Sequence, residues 1–443
     1  MTDLKQYRIR ASSAAELVER IEAAVASGAL AHGEELPSVR RLALEVGLSP
    51  VTVAAGLAEL RRRGVIVTEP RRGSRIGPGP PIGSSRMPMP VPRGARDLSR
   101  GNPDPDLLPD LARALSRISI PVRLYGDPPA IPELTALARE QLRADGVPGE
   151  DLCVVSGALD GIERALESHL RLGDRVAVEN PGYAALFDLL RARGLMPVPV
   201  EIDERGMRPQ PLRGALERGA SAVIVTPRGQ NPTGAALDGA RAHELMGVLA
   251  GFPRALVIED DHLGQVAGCA LHTTVRGRER WAATRSVAKA LGPDLRLAVL
   301  AGDPRTVARV QGRQQCGPGW VSHILQALVV GLWTDRSVGE LVARAVHTYS
   351  QRRERLLACL EDVGVPAVGA SGLNVWVAVH EETAVAGSLL QRGWVVAPGA
   401  PYRLPGTPPA IRVTIATLSH SEAGRLAGDL AEVMAPTRSS RSG

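Results

Sequence analysis

Hydrophobic residues recur every three or four positions in three short stretches near the start of the chain, which predicts three amphipathic helices. The stretches cover residues 13–28, 37–47 and 49–64. Each has a serine at or near its start that can cap a helix and closes on a glycine that can end one. After them, "VIVTEPRRGSRI" alternates between apolar and polar residues, which predicts a two-stranded hairpin with its turn at Arg71, Arg72 and Gly73.

Positive charge clusters in the same region. Six arginines lie between Arg61 and Arg75, and the one acidic residue among them is Glu69. Three helices followed by a basic hairpin are the layout of a winged helix-turn-helix, in which the third helix enters the DNA major groove and the hairpin contacts phosphates. Charge alone also fits a small helical cap whose arginine face is solvated.

A stretch rich in proline and glycine follows. Residues 77–96 read "GPGPPIGSSRMPMPVPRGAR", a composition that disfavours regular helix or strand and predicts an extended tether. We therefore expect a first domain at residues 1–76, a linker at 77–97 and a second domain at 98–443.

Short apolar runs alternate with amphipathic helical stretches in the second domain. Buried strands separated by helices predict an α/β domain with a mainly parallel sheet, whose ligands bind at the strand ends. The runs are "CVVSG" at 153, "RVAVEN" at 175, "AVIVTP" at 222, "ALVIED" at 255, "WAATRS" at 281 and "LAVLAG" at 297. Polar residues that suit a ligand site stand at or after the ends of these runs.

Composition narrows the class of protein. Of the 443 residues, 44% are hydrophobic and 23% are charged, as in an ordinary globular protein. No apolar run reaches the roughly 18 residues of a membrane span, and the start "MTDLKQYRIR" has no signal-peptide core, so we expect a cytoplasmic protein without membrane association. The four cysteines are far apart without metal-ligand spacing, so we expect reduced thiols and no metal site.

Lysine is nearly absent from the chain. Of the 53 lysines and arginines, only Lys5 and Lys289 are lysines. Lys289 follows the run "WAATRS" among apolar neighbours, which should desolvate its amine, lower its pKa and make it nucleophilic. Such lysines form Schiff bases, most familiarly with pyridoxal 5'-phosphate. That cofactor also needs a carboxylate for its ring nitrogen, a cup for its phosphate and an aromatic face.

The N-terminal region resembles the DNA-binding domain of GntR-type bacterial regulators. The resemblance covers nearly all of residues 14–76 and is carried by "GEELPSVRRLALEVGLSPVTVAAGLAELRRRGVI". It implies that one set of residues on the second and third helices faces DNA: Ser38, Arg40, Ser49, Thr52 and Val53. It also implies that Arg71, Arg72 and Gly73 form the tip of the wing.

Residues 98–443 resemble the fold-type I aminotransferase family, and the whole chain is similar to the MocR subfamily of GntR regulators. "NPTG", "VIEDD" and "SVAKALGPDLRL" stand in the order of that family and at compatible spacing. The resemblance implies a transferase fold that depends on pyridoxal phosphate, with a mainly parallel central sheet and a smaller C-terminal α+β subdomain.

The resemblance also assigns residues to the cofactor ring. Lys289 would be the Schiff-base lysine and Asp260 the partner of the pyridine nitrogen. Asn231 would hydrogen-bond the ring hydroxyl, and Tyr183 would stack on the ring.

A second set of residues follows from the same resemblance. Arg412 would grip the α-carboxylate of an effector, a task that suits its forked guanidinium. Tyr125 would reach a phosphate from the partner subunit. The phosphate cup would be formed by Ser156, Gly157, Ala158, Ser286 and Arg296.

Two positions depart from the family pattern. His262 stands where the subfamily usually has a tyrosine that donates to the ring hydroxyl. An imidazole titrates near neutrality, so this change would make the site pH-dependent or simply less well tuned. Ala158 stands where a hydroxyl or amide side chain is common, so the phosphate cup would lose contacts.

These residues lead to three hypotheses about function. The first is a homodimeric, domain-swapped regulator that binds operator DNA and senses pyridoxal phosphate or its adduct with a small amino compound, controlling genes of vitamin B6, amino-acid or amine metabolism. The second is a working aminotransferase with a DNA-binding appendage. The third is a DNA-binding protein whose second domain only dimerises. The helix-turn-helix favours the first over the second, and retention of Lys289 and Asp260 disfavours the third.

Overall fold

The structure is a computed structural model that describes residues 11–26, 29–31, 33–62, 65–69, 73–77, 91–404 and 406–435. The chain forms two compact units, and each is described by itself. Among the described residues no single helix is long and apolar enough to cross a membrane, although Val39–Val46 and Pro50–Arg61, bent by 109°, together meet the length and composition of a span.

The N-terminal unit contains three helices and a hairpin, as the sequence predicts. Its elements are α1 (Ala14–Ala26), α2 (Val39–Val46), α3 (Pro50–Arg62), β1 (Ile66–Glu69) and β2 (Gly73–Ile76). Ser38 caps α2, and Gly47 ends it with a φ of 79°, a left-handed conformation that glycine adopts without strain. The two strands pair antiparallel, and the buried faces of the three helices share one apolar core.

The remaining helices and strands follow residue 91. The helices are α4 (Leu111–Leu115), α5 (Pro132–Ala144), α6 (Ala158–His169), α7 (Ala184–Ala192), α8 (Pro209–Glu217), α9 (Gly239–Ala250), α10 (Ala288–Leu291), α11 (Pro304–Gln315), α12 (His323–Thr334), α13 (Arg336–Asp362), α14 (Glu382–Gln391) and α15 (His420–Met434). The strands are β3 (Arg96–Asp97), β4 (Leu152–Val155), β5 (Arg175–Asn180), β6 (Met196–Asp203), β7 (Gly206–Met207), β8 (Ala220–Val225), β9 (Leu256–Asp261), β10 (Trp281–Ser286), β11 (Ala298–Gly302), β12 (Ala367–Val368), β13 (Asn374–Ala378), β14 (Trp394–Val395), β15 (Ala397–Pro398) and β16 (Ala410–Thr414).

Eight strands form the central sheet in the order β4-β11-β10-β9-β8-β5-β6-β7. All six predicted strands lie in it. The pairs β5–β8, β8–β9 and β9–β10 are parallel, which confirms the mainly parallel prediction, whereas β11 and β4 run antiparallel to their neighbours. The connection from β10 to β11 spans only residues 287–297, and a parallel crossover needs about a dozen residues or more.

A smaller antiparallel sheet, in the order β12-β13-β16-β15, forms the predicted C-terminal α+β subdomain together with nearby helices. The predicted linker at residues 77–97 overlaps a short strand at its C-terminal end. Its last two residues, Arg96 and Asp97, form strand β3, which pairs in parallel with β14. The Arg96 side chain also binds Glu422 and the carbonyl of Thr417, so polar contacts hold this end of the tether in place.

Candidate functional site

Strands β9 and β10 bring the predicted cofactor residues to one edge of the sheet. Their parallel register pairs Thr284 with Asp260, so both strands end at the same level. Immediately after β10, the one-turn helix α10 carries Lys289. This arrangement follows from two adjacent parallel strands, whose carboxyl ends lie side by side.

Lys289 is half-buried, and its Nζ donates to the carbonyl oxygen of Gly101 at 2.6 Å. Burial, with a smaller contribution from the positive charge of Arg412, lowers the pKa of Lys289 to about 8. The neutral, nucleophilic form of the amine is therefore much more populated near neutral pH than in an ordinary lysine, although the protonated form still predominates.

Asp260 is buried, with 6% of its surface exposed, and accepts a hydrogen bond from Thr284 Oγ1 at 3.3 Å. Burial, and then the negative charge of Asp261, raise the pKa of Asp260 to about 7. Within the described part of the chain, no basic side chain pairs with this carboxylate. A buried acid without a cation suits the protonated nitrogen of a pyridine ring.

The neighbouring Asp261 differs completely in its environment. Arg228 Nη2 and Arg285 Nε both donate to its carboxylate, at 2.9 and 2.8 Å. Burial raises the pKa of Asp261, but the hydrogen bonds and charges of the two arginines outweigh burial and hold that pKa below its ordinary value. Asp261 therefore stays ionised as part of a structural ion-pair network, whereas the carboxylate of Asp260 is available to bind a ligand.

Of the two effects that the sequence predicts for His262, a pH-dependent site or a less well tuned one, the surroundings of the imidazole speak against the first. Burial, and then the positive charge of Lys289, lower the pKa of His262 to about 4. The imidazole is thus neutral across the physiological range. It offers one N–H donor and one acceptor, and its charge does not change between pH 6 and 8.

Arg412 lies on β16 with 4% of its surface exposed. Its Nη1 donates to Asn231 Oδ1 at 3.0 Å, and its Nη2 donates to the carbonyl of Ser99. Its guanidinium also lies 4.7 Å from the centre of the Tyr402 ring. No acidic side chain pairs with Arg412 in the described ranges, and its buried Nε has no hydrogen-bond partner there. Such an arginine is suited to bind a carboxylate that the chain itself does not supply.

The predicted phosphate cup lies around the N-terminus of α6. Gly157 caps this 12-residue helix with a φ of 99° and no side-chain hydrogen bond, so no side chain of the cap competes with an anion for the first N–H groups of the helix. A side chain at Gly157 would lie only 3.3 Å from Nη2 of Arg296, so glycine leaves room for that guanidinium. The remaining predicted members differ in what they offer. Ala158 contributes only backbone, Ser286 Oγ already accepts from Ala288 N at 3.2 Å, and Ser156 N already donates to Asp160.

The two predicted tyrosines lie in different surroundings. Tyr183 is half-buried and precedes α7, close enough to Arg412 for its hydroxyl to affect the pKa of that arginine. Tyr125 is 94% exposed, and its ring packs edge-on against Trp320 at 5.7 Å. Its contact with a partner's phosphate stays a prediction.

The sequence did not point to several residues that complete this site. The carbonyls of Ser99 and Gly101 accept from Arg412 and Lys289, and Tyr402 lies beside Arg412. Main-chain acceptors carry no signature in a sequence, since any residue type provides them. Only the short path of the chain past the strand ends identifies them.

In the N-terminal unit, Val53 was wrongly placed on the DNA-facing surface. It is fully buried in the core of the three helices, whereas Val51 on the same helix is 80% exposed. A residue that contacts DNA must be accessible to solvent. Val51 and Val53 are two positions apart on α3, which turns their side chains by about 200° and places them on opposite sides of the helix. Thr52 is partly exposed, and its hydroxyl lies 2.8 Å from that of Ser49.

The other predicted DNA-facing residues are at the surface where they are described. Ser38 and Arg40 are exposed at the start of α2. Gly73 is exposed and has a φ of 82°, which suits the end of a tight turn. Arg71 and Arg72 lie outside the described residues.

Two family models match the chain. One, described as bacterial regulatory proteins of the gntR family, matches residues 13–76. The other, described as aminotransferase class I and II, matches residues 95–430.

Similar proteins include regulators and enzymes. The vitamin B6 salvage pathway transcriptional repressor PtsJ of Salmonella typhimurium is 38% identical over 96% of this chain and 99% of its own length. The pyridoxine biosynthesis regulator PdxR of Corynebacterium glutamicum is 31% identical over 56% of this chain and 55% of its own length. Among solved structures, the α-aminoadipate aminotransferase LysN of Thermus thermophilus has a TM-score of 0.68 at 21% identity, covering 77% of this chain and 92% of LysN, and shows the same fold. The chain therefore belongs to the MocR-like GntR regulators, in which a GntR helix-turn-helix domain is joined to an aminotransferase class I and II domain.

Proposed function

We propose that this regulator binds pyridoxal phosphate at the edge of its central sheet and changes its affinity for operator DNA in response. The observation that carries the proposal is the presence, in one site, of Asp260, a buried carboxylate without a cation among the described residues, and of Lys289, an amine whose pKa is lowered to about 8. Both fit one ligand, which combines a pyridine nitrogen with an aldehyde.

Different residues of this chain would bind different parts of the cofactor. Lys289 would attach the cofactor covalently, Asp260 would keep a proton on the ring nitrogen, and neutral His262 with Asn231 would hydrogen-bond the ring hydroxyl. The N-terminus of α6 and Arg296 would hold the phosphate. Pyridoxal phosphate, when bound, supplies an aldehyde that amines attack and an electron-withdrawing ring.

Arg412 supports a response to amines that carry a carboxylate. It is the buried arginine of the site that lacks an acidic partner among the described residues, so we infer one carboxylate rather than two in the effector. The cofactor itself remains the simplest effector, because the names of PtsJ and PdxR refer to vitamin B6 and pyridoxine. We therefore assign this chain to the control of vitamin B6 or amine metabolism in the cytoplasm.

The protein would act as a homodimer on double-stranded DNA. The family resemblance places cofactor sites at a dimer interface. The exposure of Tyr125 is consistent with a residue that contacts the cofactor phosphate bound by a partner subunit. A coupling free energy of about 1–3 kcal/mol between ligand and operator would change operator affinity roughly 5- to 150-fold.

An active aminotransferase is the second candidate. Lys289, Asp260 and Arg412 could support transfer of an amino group, so a half-reaction is compatible with the site. The helix-turn-helix and the regulators among the relatives favour the first proposal. Turnover of an amino acid with a keto acid, measured with the full chain, distinguishes the two.

The first test uses the unusual scarcity of lysine. The absorption spectrum of the purified protein with pyridoxal phosphate should show a visible band that borohydride reduction abolishes. Lys289→Ala should lack the band, whereas Lys5→Ala, which removes the other lysine of the chain, should keep it. A band that persists in Lys289→Ala, or one absent from the wild type, would contradict the proposal.

A further inference from the structure

The main chain of the segment Leu98–Gly101 accepts hydrogen bonds from two cations of the candidate site. Lys289 Nζ donates to Gly101 O at 2.6 Å, and Arg412 Nη2 donates to Ser99 O. These are the same two groups that the proposed ligand needs, one for covalent attachment and one for a carboxylate. The segment and a ligand therefore compete for the same donors.

Thr414 on β16 holds this segment in place. Its N–H donates to Leu98 O at 2.8 Å, and its hydroxyl accepts from Gly101 N at 3.1 Å. The hydroxyl in turn donates to Asn374 Oδ1 at 3.0 Å. Thr414 is buried, with 6% exposure, and it lies on the same face of β16 as Arg412, because side chains alternate along a strand.

The segment also leads directly to the tether. Leu98 N donates to Val395 O at 2.8 Å, and Arg96 N donates to Gly393 O at 2.7 Å, which continues the pairing of β3 with β14. Before β3 the sequence is the Pro/Gly-rich stretch that joins this unit to the helix-turn-helix. Movement of Leu98–Gly101 would therefore be transmitted to residues that connect the two units covalently.

We propose that Leu98–Gly101 is the element that reports ligand binding to the tether, and that Thr414 is the residue that positions it. This inference rests on the proposed function. Covalent engagement of Lys289 removes a donor from Gly101, and a carboxylate on Arg412 replaces the Ser99 carbonyl with a more strongly bound, charged acceptor. The segment then keeps its contacts with Thr414 and β14 and the buried side chain of Leu98, but it has lost two hydrogen bonds, so residues 99–101 detach more readily.

Hydrogen–deuterium exchange of the full-length protein tests the first half of the inference. Exchange in residues 98–104 should increase when pyridoxal phosphate is added. With pyridoxal phosphate present, it should be faster with L-alanine than with ethylamine, which is the same amine without the carboxylate. Equal exchange in all of these samples overturns the inference.

Thr414→Val tests the second half, with Thr414→Ser as the matched control that keeps the hydroxyl. The ratio of operator affinities with and without pyridoxal phosphate should fall about 5-fold in Thr414→Val, because one hydrogen bond that favours the docked segment is lost. The ratio should stay near the wild-type value in Thr414→Ser. The probe is a duplex selected from random DNA with the wild-type protein.

The absorption band of each sample distinguishes failure of the role proposed for Thr414 from failure of the proposed function. A normal band with an unchanged affinity ratio in Thr414→Val overturns the role of Thr414 and leaves the cofactor proposal intact. The absence of a band in the wild type removes the proposed function itself. If Thr414→Val does not fold, the exchange data on the wild type still decide whether the segment responds to ligand.

Discussion

Asp260→Asn should stabilise the ligand-free protein at pH 8 and weaken its binding of pyridoxal phosphate. Burial, and then Asp261, raise the pKa of Asp260 from 3.8 to about 7. An acid whose pKa is higher in the folded chain destabilises the fold as it ionises. This penalty is absent below pH 3.8, grows as the pH rises and is complete above pH 7.

The shift of about three pKa units corresponds to a penalty of about 4 kcal/mol above pH 7. A buried asparagine can still accept from Thr284, but its amide N–H groups lack partners. Leaving them unpaired costs about 2 kcal/mol of stability, which offsets part of the gain from removing the penalty. We therefore expect the variant to be more stable than the wild type by about 2 kcal/mol at pH 8. At pH 5 the wild-type penalty is only about 1.6 kcal/mol, so the advantage should vanish.

Thermal unfolding of both ligand-free proteins at pH 8 and pH 5 measures the effect, with Asp294→Asn, an exposed acid, as the control. The affinity for pyridoxal phosphate should fall at least tenfold in Asp260→Asn, because a hydrogen bond to a charged group contributes about 1.5–3 kcal/mol. Lower stability of Asp260→Asn at pH 8 would refute the raised pKa of Asp260, and an unchanged cofactor affinity would refute the assignment of Asp260 to the ring nitrogen.

Three further predictions follow from the geometry. Val51→Ala should change operator affinity without changing the melting temperature, whereas Val53→Ala should cost roughly 2 kcal/mol of stability. A thermal shift combined with fluorescence anisotropy on DNA separates these effects, and equal melting temperatures for the two variants would contradict them. Arg412→Gln should keep the cofactor band but lose the difference between L-alanine and ethylamine in spectral titrations; a retained difference would exclude Arg412 as the carboxylate site. Burial, and then the charge of Lys289, lower the pKa of His262 to about 4, so this imidazole should not titrate between pH 5.5 and 7.5. Spectra of the cofactor band across that range should therefore show the same pH dependence in the wild type and in His262→Phe.

Local patterns in the sequence were sufficient to predict many of the helices and strands and to recognise the family. Helix caps, periodicity and the runs of apolar residues depend on neighbours along the chain, so all three described N-terminal helices and six of the eight strands of the central sheet could be predicted. The lysine that the chain retains at position 289 pointed to covalent chemistry because its apolar neighbours in sequence already predict a desolvated amine.

The tertiary structure decided what depends on distant residues. Sequence periodicity did not exclude Val53 from the surface that binds DNA, because only the packing of α3 against the other helices shows which side is covered. Two adjacent aspartates, at 260 and 261, look alike in sequence, but alternate side chains on β9 point to opposite faces, so one meets two arginines and the other meets none. The contacts of Lys289 and Arg412 with the Leu98–Gly101 main chain span 188 and 313 positions. No local pattern predicts them, because backbone carbonyls are common to every residue and only the folded path of the chain brings these ones to the site.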